Sequence, residues 1–97
     1  MIIKKHVADG RRLILAICDD ELLGKRFEEK NKQLDISPSF YEGEKIDEIE
    51  LARLIKMAYI VNAVGKDSVG CCIKAELCRE EDVPKIRGIP YFQAILF

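Results

Sequence analysis

The sequence predicts an α+β domain in which a β-hairpin and a short strand precede two consecutive helices. Two C-terminal strands follow and join the same small sheet. Residues 2–7 and 12–18 are rich in branched apolar side chains and flank an Asp-Gly pair, which is typical of a β-hairpin. Residues 46–58 repeat apolar side chains at the period of an amphipathic helix. An apolar stretch after a Gly-Ile-Pro turn closes the chain. Strands, then helices, then strands are typical of the α+β class.

Length and composition predict a single domain over residues 1–97. The chain has a mass of 11.1 kDa, with 48% hydrophobic and 34% charged residues, which is the composition of a globular domain and not of a disordered chain. Its longest apolar run, residues 13–18, is far shorter than the ~20 residues of a membrane-spanning helix. The net charge of −1 excludes a protein that binds bulk nucleic acid strongly through charge alone.

The start of the chain and its cysteines predict a cytoplasmic protein without metal or cofactor. Residues 1–6 lack the basic start and apolar stretch of a signal peptide. Adjacent Cys71 and Cys72 form no ordinary structural disulfide, so reduced thiols are expected. Zinc sites use spaced cysteine pairs, whereas here the first pair has no spacer and Cys78 follows after five residues. We therefore interpret the cysteines as small buried side chains.

The Asp-Gly pair sets the register that we expect for the hairpin. If Asp9 and Gly10 form a two-residue turn, Val7 lies opposite Arg12. One face of the hairpin is then more apolar than the other and is assigned to the core. That face carries Ile2, Lys4, His6, Leu13, Leu15 and Ile17.

The first helix has the clearest end signals in the chain. Asp47 is a good N-cap with Glu50 three residues later, and Ile46 and Leu51 have the spacing of a hydrophobic staple. The helix is expected to continue to about residue 58 on an apolar stripe. That stripe comprises Ile49, Ala52, Leu54, Ile55 and Ala58.

The segments around this helix are less sharply determined. Residues 59–65 either prolong it or run extended to Gly65, and a second helix is expected from Lys66 to about residue 77, with Gly70 marking a close backbone contact. Before the first helix, residues 19–25 predict a single helical turn, residues 25–33 a polar exposed segment, and residues 34–36 a short strand.

The last strands carry the only sign of self-association. Residues 83–86 predict one strand and residues 91–97 another, and both faces of the last strand are largely apolar. A strand of this kind is either buried on both sides or covered by a partner. A homodimer through the C-terminal strand is therefore an open alternative.

Four stretches together resemble one small archaeal family, an uncharacterised conserved domain called domain of unknown function 424. The resemblance covers essentially the whole chain and implies a single cytosolic α+β domain, without an established activity, substrate or cofactor. The stretches are Cys18-Asp19-Asp20-Glu21-Leu22-Leu23-Gly24-Lys25, Phe40-Tyr41-Glu42-Gly43-Glu44, Asn62-Ala63-Val64-Gly65 and Gly88-Ile89-Pro90-Tyr91-Phe92-Gln93.

The last of these stretches departs from the family at one position. The resemblance implies a His-Ala pair where this chain has Tyr91-Phe92. A phenol that titrates near ~10 is a poor base at neutral pH. Either this position serves binding or packing, or this chain has lost an activity.

The acidic residues at the end of the second strand are the strongest candidates for chemistry. Three carboxylates, from Asp19, Asp20 and Glu21, are able to hold Mg²⁺ or to act as acid and base. The alternative is a structural role, because acids are favoured in the first turn of a helix. Lys25 follows Gly24 as in a phosphate loop, but the upstream glycine and the hydroxyl residue of that motif are missing.

Two further stretches are candidate binding sites. Asn62 to Gly65 precedes a helix and is able to present backbone N–H groups to an anion, although Asp67 disfavours one there. The turn at the last strand combines aromatic and polar residues with basic neighbours, if the terminal strands pair. It is able to stack a base or to anchor a protein. Its residues are Arg87, Gly88, Pro90, Tyr91 and Gln93, with Lys85, Arg11 and Arg12 nearby.

These observations favour a small non-enzymatic binding module for a protein or ribonucleoprotein partner, with a role near translation suggested by association only. The sole histidine, His6, lies in a predicted hairpin strand with no nucleophile beside it, so it is interpreted as structural. The alternative is a small enzyme that uses Asp19, Asp20 or Glu21, with or without a metal ion.

Overall fold

The computed structural model describes residues 1–96 and confirms the α+β class. Phe97, the last residue of the predicted final strand, lies outside the described residues. No helix in residues 1–96 is long and apolar enough to cross a membrane. Three helices and eight strands form the fold. The helices are α1 Pro38–Tyr41, α2 Glu48–Ile55 and α3 Lys66–Lys74. The strands are β1 Ile2–Ala8, β2 Arg12–Cys18, β3 Arg26–Glu29, β4 Lys32–Asp35, β5 Glu44–Lys45, β6 Ile60–Val64, β7 Lys85–Ile86 and β8 Ile89–Ile95.

Six strands form one mixed sheet in the order β5-β1-β2-β6-β8-β7, and β3 and β4 form a separate hairpin. The strands β2 and β6 are parallel neighbours, and the other pairs are antiparallel. The carboxyl ends of β2 and β6 therefore meet at one end of the sheet, which we call the motif end. The loop between β1 and β2 lies at the opposite end, which we call the hairpin end.

The predicted register of the first hairpin is wrong by one residue. Three residues form the connection, with Gly10 and Arg11 both at positive φ, and Ala8 pairs with Arg12. Arg11, which adopts the left-handed conformation after Asp9-Gly10, adds one residue to the loop. A shift of one residue in the pairing moves every side chain of a strand to the opposite face of the sheet. Ile3 therefore joins Leu15 on the core face, whereas the predicted Ile2, Lys4 and His6 lie on the other face.

The sheet is covered on both faces at the motif end. The helices α2 and α3 cover one face, and their contacts with β2 and β6 form the larger core. The opposite face, called here the second face, is covered by α1 and the β3–β4 hairpin around a smaller core. The buried residues of the larger core include Leu15, Ile17, Leu51, Leu54, Val61 and Cys72, and those of the smaller core include Ala16, Cys18, Ile36, Tyr41 and Val64.

Helix α2 begins as predicted, and Leu54, Ile55 and Ala58 of the predicted stripe are buried, but the stripe is wrong at two positions. The Asp47 carboxylate accepts a hydrogen bond from the Glu50 N–H at 2.9 Å, which confirms the N-cap. Leu51 is buried, whereas Ile49 is 84% exposed and Ala52 is exposed as well. The helix ends at Ile55 because the chain must turn back to enter the sheet as β6.

The open alternative for residues 59–65 is resolved as strand β6, so a strand separates the two helices. Helix α3 ends at Lys74, before the predicted end, and Glu76 then adopts a positive φ of 62°. The close backbone contact expected at Gly70 is absent, since no atom lies within 4 Å of a Cβ built there. The polar segment before α1 forms the β3–β4 hairpin, within which the expected short strand is β4.

Candidate functional site

The side chain of Asp19 is the N-terminal cap of α3, although the two lie 48 residues apart in sequence. One carboxylate oxygen accepts from the Asp67 N–H at 3.0 Å. The other accepts from the N–H and the hydroxyl of Ser68, both at 2.8 Å. Asp19 is only 3% exposed. The free-energy cost of burying its charge is offset by these donors and by the positive end of the helix. This carboxylate, a candidate for binding or chemistry in the sequence, therefore has the structural role of capping α3.

Gly65 makes this cap possible. Its φ of 108° belongs to a region that only glycine adopts readily, and a Cβ at this position would lie 2.3 Å from Cγ of Asp19. The predicted anion site before α3 is thus occupied by a carboxylate of the chain itself. The Gly65 N–H also donates to the Pro90 carbonyl at 2.9 Å. The stretch of residues 88–93 therefore contacts the stretches that contain Asp19 and Gly65.

The other acidic and basic residues of the first stretch do not converge on Asp19. The Asp20 carboxylate accepts from Lys45 and pairs with the N-terminal ammonium of Met1 at 3.0 Å. The hydrogen bond from Lys45, followed by that from the ammonium group, lowers the pKa of Asp20. Glu21 is exposed, and the backbone N–H and C=O of Lys25 bond to Leu22 and Ile36. No cluster of three potential metal-binding side chains occurs in residues 1–96.

The turn before β8 fastens the β3–β4 hairpin to the sheet. Arg87 donates from its backbone N–H to the Glu29 carboxylate at 3.1 Å and from Nε to the Glu28 carbonyl at 2.9 Å. Arg87 and Gly88 both have positive φ, of 54° and 77°, as a tight two-residue turn requires. The Tyr91 side chain packs against the smaller core. Tyr91 thus has at least a packing role in this chain.

The expected basic cluster around this turn is wrong. Tyr91 pairs with Val64, and Val64 pairs with Cys18 at the motif end of β2. Arg12 begins the same strand at the hairpin end. A seven-residue strand is roughly 20 Å long, which separates Arg11 and Arg12 from Arg87.

Two of the predicted binding residues, Asn62 and Gln93, lie together in the sheet. They lie directly opposite each other on β6 and β8, and both side chains point to the second face. Gln93 is exposed and Asn62 is half-buried. Each lies two residues along its strand from the half of the second face that α1 and the β3–β4 hairpin leave uncovered.

That uncovered half carries a row of isoleucines that sequence reasoning missed. Ile14 pairs with Ile60, and Ile60 pairs with Ile95, so the three side chains lie side by side on adjacent strands. None of them belongs to either hydrophobic core; Ile95 is 64% exposed, and Ile14 and Ile60 are half-buried. We call Ile14, Ile60 and Ile95, with Asn62 and Gln93, the isoleucine face.

A basic border adjoins the isoleucine face at the hairpin end. Arg12 lies over the ring of Tyr59, with its guanidinium carbon 4.4 Å from the ring centroid. A shallow pocket of about 340 Å³ at the hairpin end is also lined by Arg11, Leu13 and Met57, and Leu13 packs against the larger core on the face that α2 and α3 cover. Among residues 1–96, neither Arg11 nor Arg12 forms an ion pair, so both guanidinium groups are available to a partner.

His6 and the cysteines have structural surroundings. The His6 Nε2 atom lies 2.9 Å from the Phe40 carbonyl oxygen, and the two rings are stacked at 4.7 Å. All four cysteines are free thiols. Burial raises the pKa of Cys18 to about 11 and that of Cys72 to about 12, which keeps both protonated at neutral pH.

The comparisons with known proteins identify a family without assigning it an activity. The model of a family described as a protein of unknown function (DUF424) matches residues 6–97. The chain is also similar to the crystal structure of an uncharacterized conserved protein from Methanopyrus kandleri, with 28% identity and a TM-score of 0.80. That match covers 96% of this chain and 88% of the other. No curated protein matches the chain. The chain belongs to the DUF424 family.

Proposed function

We propose that the protein is a non-enzymatic binding module that takes an acidic protein surface on its isoleucine face. The observation that carries the proposal is the alignment of Ile14, Ile60 and Ile95 outside both cores. Three neighbouring isoleucines form an apolar strip about 10 Å wide, from the spacing of strands in a sheet. Exposed apolar strips rimmed by polar residues are typical of protein interaction sites.

The border of the face favours an acidic partner. Arg11 and Arg12 stand at one end of the isoleucine row without an ion-pair partner in the described chain, and Asp9 is the nearby acid in the loop. Arginine at the rim forms bidentate hydrogen bonds with carboxylates. The exposed Gln93 amide adds a donor and an acceptor across the row from these arginines.

A protein fits this surface better than RNA does. Single-stranded RNA is held by aromatic rings that stack on bases, together with a basic path for the backbone. The Tyr59 ring is covered by Arg12, and the His6 ring, which lies opposite Ile14 in the sheet, is stacked on Phe40, so each of these rings already has one face occupied. The net charge of −1 gives the chain no general attraction for phosphate.

The alternative function, an enzyme that uses the acidic residues 19–21, has no free carboxylate at Asp19. Both carboxylate oxygens of Asp19 accept hydrogen bonds from α3, and Asp20 is paired with Lys45. We assign the module to the cytoplasm, where its four free thiols stay reduced. This assignment rests on the thiols and on the family-like sequence.

The test is affinity capture from the native cytoplasm with two double variants. In the first variant, Arg12→Glu and Ile95→Asp reverse the charge of the border and break the apolar row. In the matched control, Lys32→Glu and Ile49→Asp make the same chemical changes on exposed residues elsewhere, since Ile49 is 84% exposed on α2. All extracts are treated with nuclease, and captured proteins are quantified by mass spectrometry.

We expect an acidic protein that is retained by the wild type and the control and lost by the first variant. Equal retention by all three chains contradicts the use of the isoleucine face. Partners that disappear with nuclease in every sample point instead to RNA. Circular dichroism of both variants verifies that each one is folded.

A further inference from the structure

The outer edge of β8 is half open. Tyr91, Gln93 and Ile95 direct their backbone groups away from β6, because Pro90 and Leu96 bond with the β6 side. The Tyr91 N–H donates to Pro84, where β7 covers the edge. Within residues 1–96, the outward N–H and C=O groups of Gln93 and Ile95 have no backbone or side-chain partner.

The opposite edge of the sheet carries charges, and this edge does not. Strand β5 covers β1 only at Ile2 and Ile3, and Lys4 and Lys5 follow on the uncovered part. Lysines on an edge strand oppose pairing with another chain. Residues 88–97 contain no charged side chain, so the open part of β8 lacks that protection.

We propose that a second copy of this chain pairs with β8 in antiparallel orientation, about a two-fold axis at Ala94. In this arrangement Gln93 of each copy lies opposite Ile95 of the other, and their outward backbone groups form four hydrogen bonds. The groups left unpaired in the monomer are all satisfied. An interface of this kind uses one surface twice, as the two-fold symmetry of most homodimers requires.

The side chains next to the axis suit this pairing. Ala94 would meet its own copy at the closest position of the ladder, where a small side chain is needed. On the helical face, Phe92 of one copy comes opposite Leu96 of the other, and both side chains already pack against the larger core. The contact would extend that core across the two copies.

An unpaired lysine and an acidic turn lie at opposite ends of the open edge. Lys56 lines a groove of about 500 Å³ that also contains Leu96, whereas Lys74 in the same groove pairs with Glu48 at 3.1 Å. The acidic residues Glu80, Glu81 and Asp82 form a turn just before Val83, near the covered end of β8. The two-fold axis exchanges the ends of the strand, so the acidic turn of each copy would lie on the side of Lys56 of the other, which forms no ion pair within residues 1–96.

This inference does not rest on the proposed function, although Gln93 and Ile95 belong to both surfaces. The axis is perpendicular to the sheet, so the isoleucine faces of both copies lie on the same side of one continuous sheet. Dimerisation thus leaves the proposed partner site open and doubles it. A dimer without a partner, or a partner bound by a monomer, would separate the two proposals.

The test is light scattering on the full chain across a concentration series, with two variants of Gln93. Gln93→Pro removes the backbone N–H that points outward together with the side-chain amide, and proline is tolerated at such edge positions. Gln93→Thr is the matched control, because it keeps the N–H and favours a strand. Circular dichroism and thermal melting establish that both variants fold.

We expect the wild type and Gln93→Thr to approach twice the 11.1 kDa chain mass with rising concentration. Gln93→Pro is expected to weaken the dimer about tenfold or more, since it removes two of the four hydrogen bonds. A wild-type mass of 11.1 kDa up to about 1 mM overturns the proposal. A dimer that is unchanged in Gln93→Pro overturns it as well.

Discussion

The carboxylate of Asp19 fills the space that a side chain at Gly65 would need, with a built Cβ only 2.3 Å from Cγ of Asp19. This contact fastens the end of β2 to the start of α3, and the adjacent Asp19 N–H donates to the Val64 carbonyl at 3.1 Å. Three family-like stretches meet here through Asp19, Gly65 and Pro90. Their residues at this point hold the fold together.

The first prediction concerns this glycine. Gly65→Ala is expected to destabilise the protein by about 1–3 kcal/mol from backbone strain alone, with a further loss from displacement of Asp19. Gly70→Ala is the matched control, because no atom lies within 4 Å of its Cβ and alanine favours the helix. The control should gain about 0.5–1 kcal/mol. Urea unfolding measures both, and equal effects would contradict the packing described.

The second prediction concerns the cap itself. Asp19→Ala leaves the Asp67 N–H and both donors of Ser68 without an acceptor in a buried site, so a loss of about 1–3 kcal/mol is expected. Asp19→Asn keeps one acceptor oxygen and should lose less. Thermal and urea unfolding give the order of stability. If the two variants were equally stable, hydrogen bonding to α3 would not be the role of this carboxylate.

The third prediction concerns the paired acid beside it. The Lys45 hydrogen bond and the N-terminal ammonium lower the pKa of Asp20. The stability that this pairing contributes is present above the ordinary aspartate pKa and is lost as pH falls through the lowered value in the folded state. Carboxyl NMR titration should show the low pKa, and Lys45→Met should raise it. A pKa that does not move in this variant would rule out Lys45 as the main cause.

The fourth prediction concerns the buried thiols. Burial raises the pKa of Cys18 to about 11 and that of Cys72 to about 12, from a usual value of 9.0. Above pH 9 the unfolded chain loses these protons while the folded chain keeps them, so stability should fall as pH rises from there. Below pH 9 the two thiols should resist alkylation, whereas the half-buried Cys78 should react first. Mass spectrometry of modified peptides measures the order, and early labelling of Cys72 would contradict it.

The fifth prediction concerns the fastening of the β3–β4 hairpin. Arg87→Ala removes the side-chain hydrogen bond to Glu28 and keeps the backbone bond to Glu29. Hydrogen exchange of residues 26–35 should become faster, while exchange in β2 and β6 should not change. Arg79→Ala is the control, since that exposed side chain pairs only with Asp82. Unchanged exchange in the hairpin would show that Arg87 does not hold it.

Some features that depend only on residues close together in sequence were predicted correctly. The Asp47 cap of α2 depends on residues within one turn, and it was correct. The register of the first hairpin was missed because Asp-Gly fits both a two-residue turn and the longer loop that places Arg11 at positive φ. The α2 stripe was misassigned at Ile49, because the sheet that the helix covers decides which side is buried.

At the candidate site, the contacts that the sequence did not predict join residues far apart along the chain. Asp19 was recognised as acidic and well placed, but its partners on α3 lie 48 and 49 residues away. The isoleucine face depends on a parallel pairing that brings Ile14 beside Ile60, and on β8 returning beside them. Single apolar positions in three separate strands give no signal until that order is known.

The most direct test of the isoleucine face is its footprint when the captured acidic partner is added to the labelled chain. Amide and methyl NMR shifts should change around Ile14, Ile60, Ile95 and Arg12. Resonances of Asp19 and Gly65 at the motif end should stay in place. Changes confined to the motif end, with none in the isoleucine methyl groups, would contradict the account.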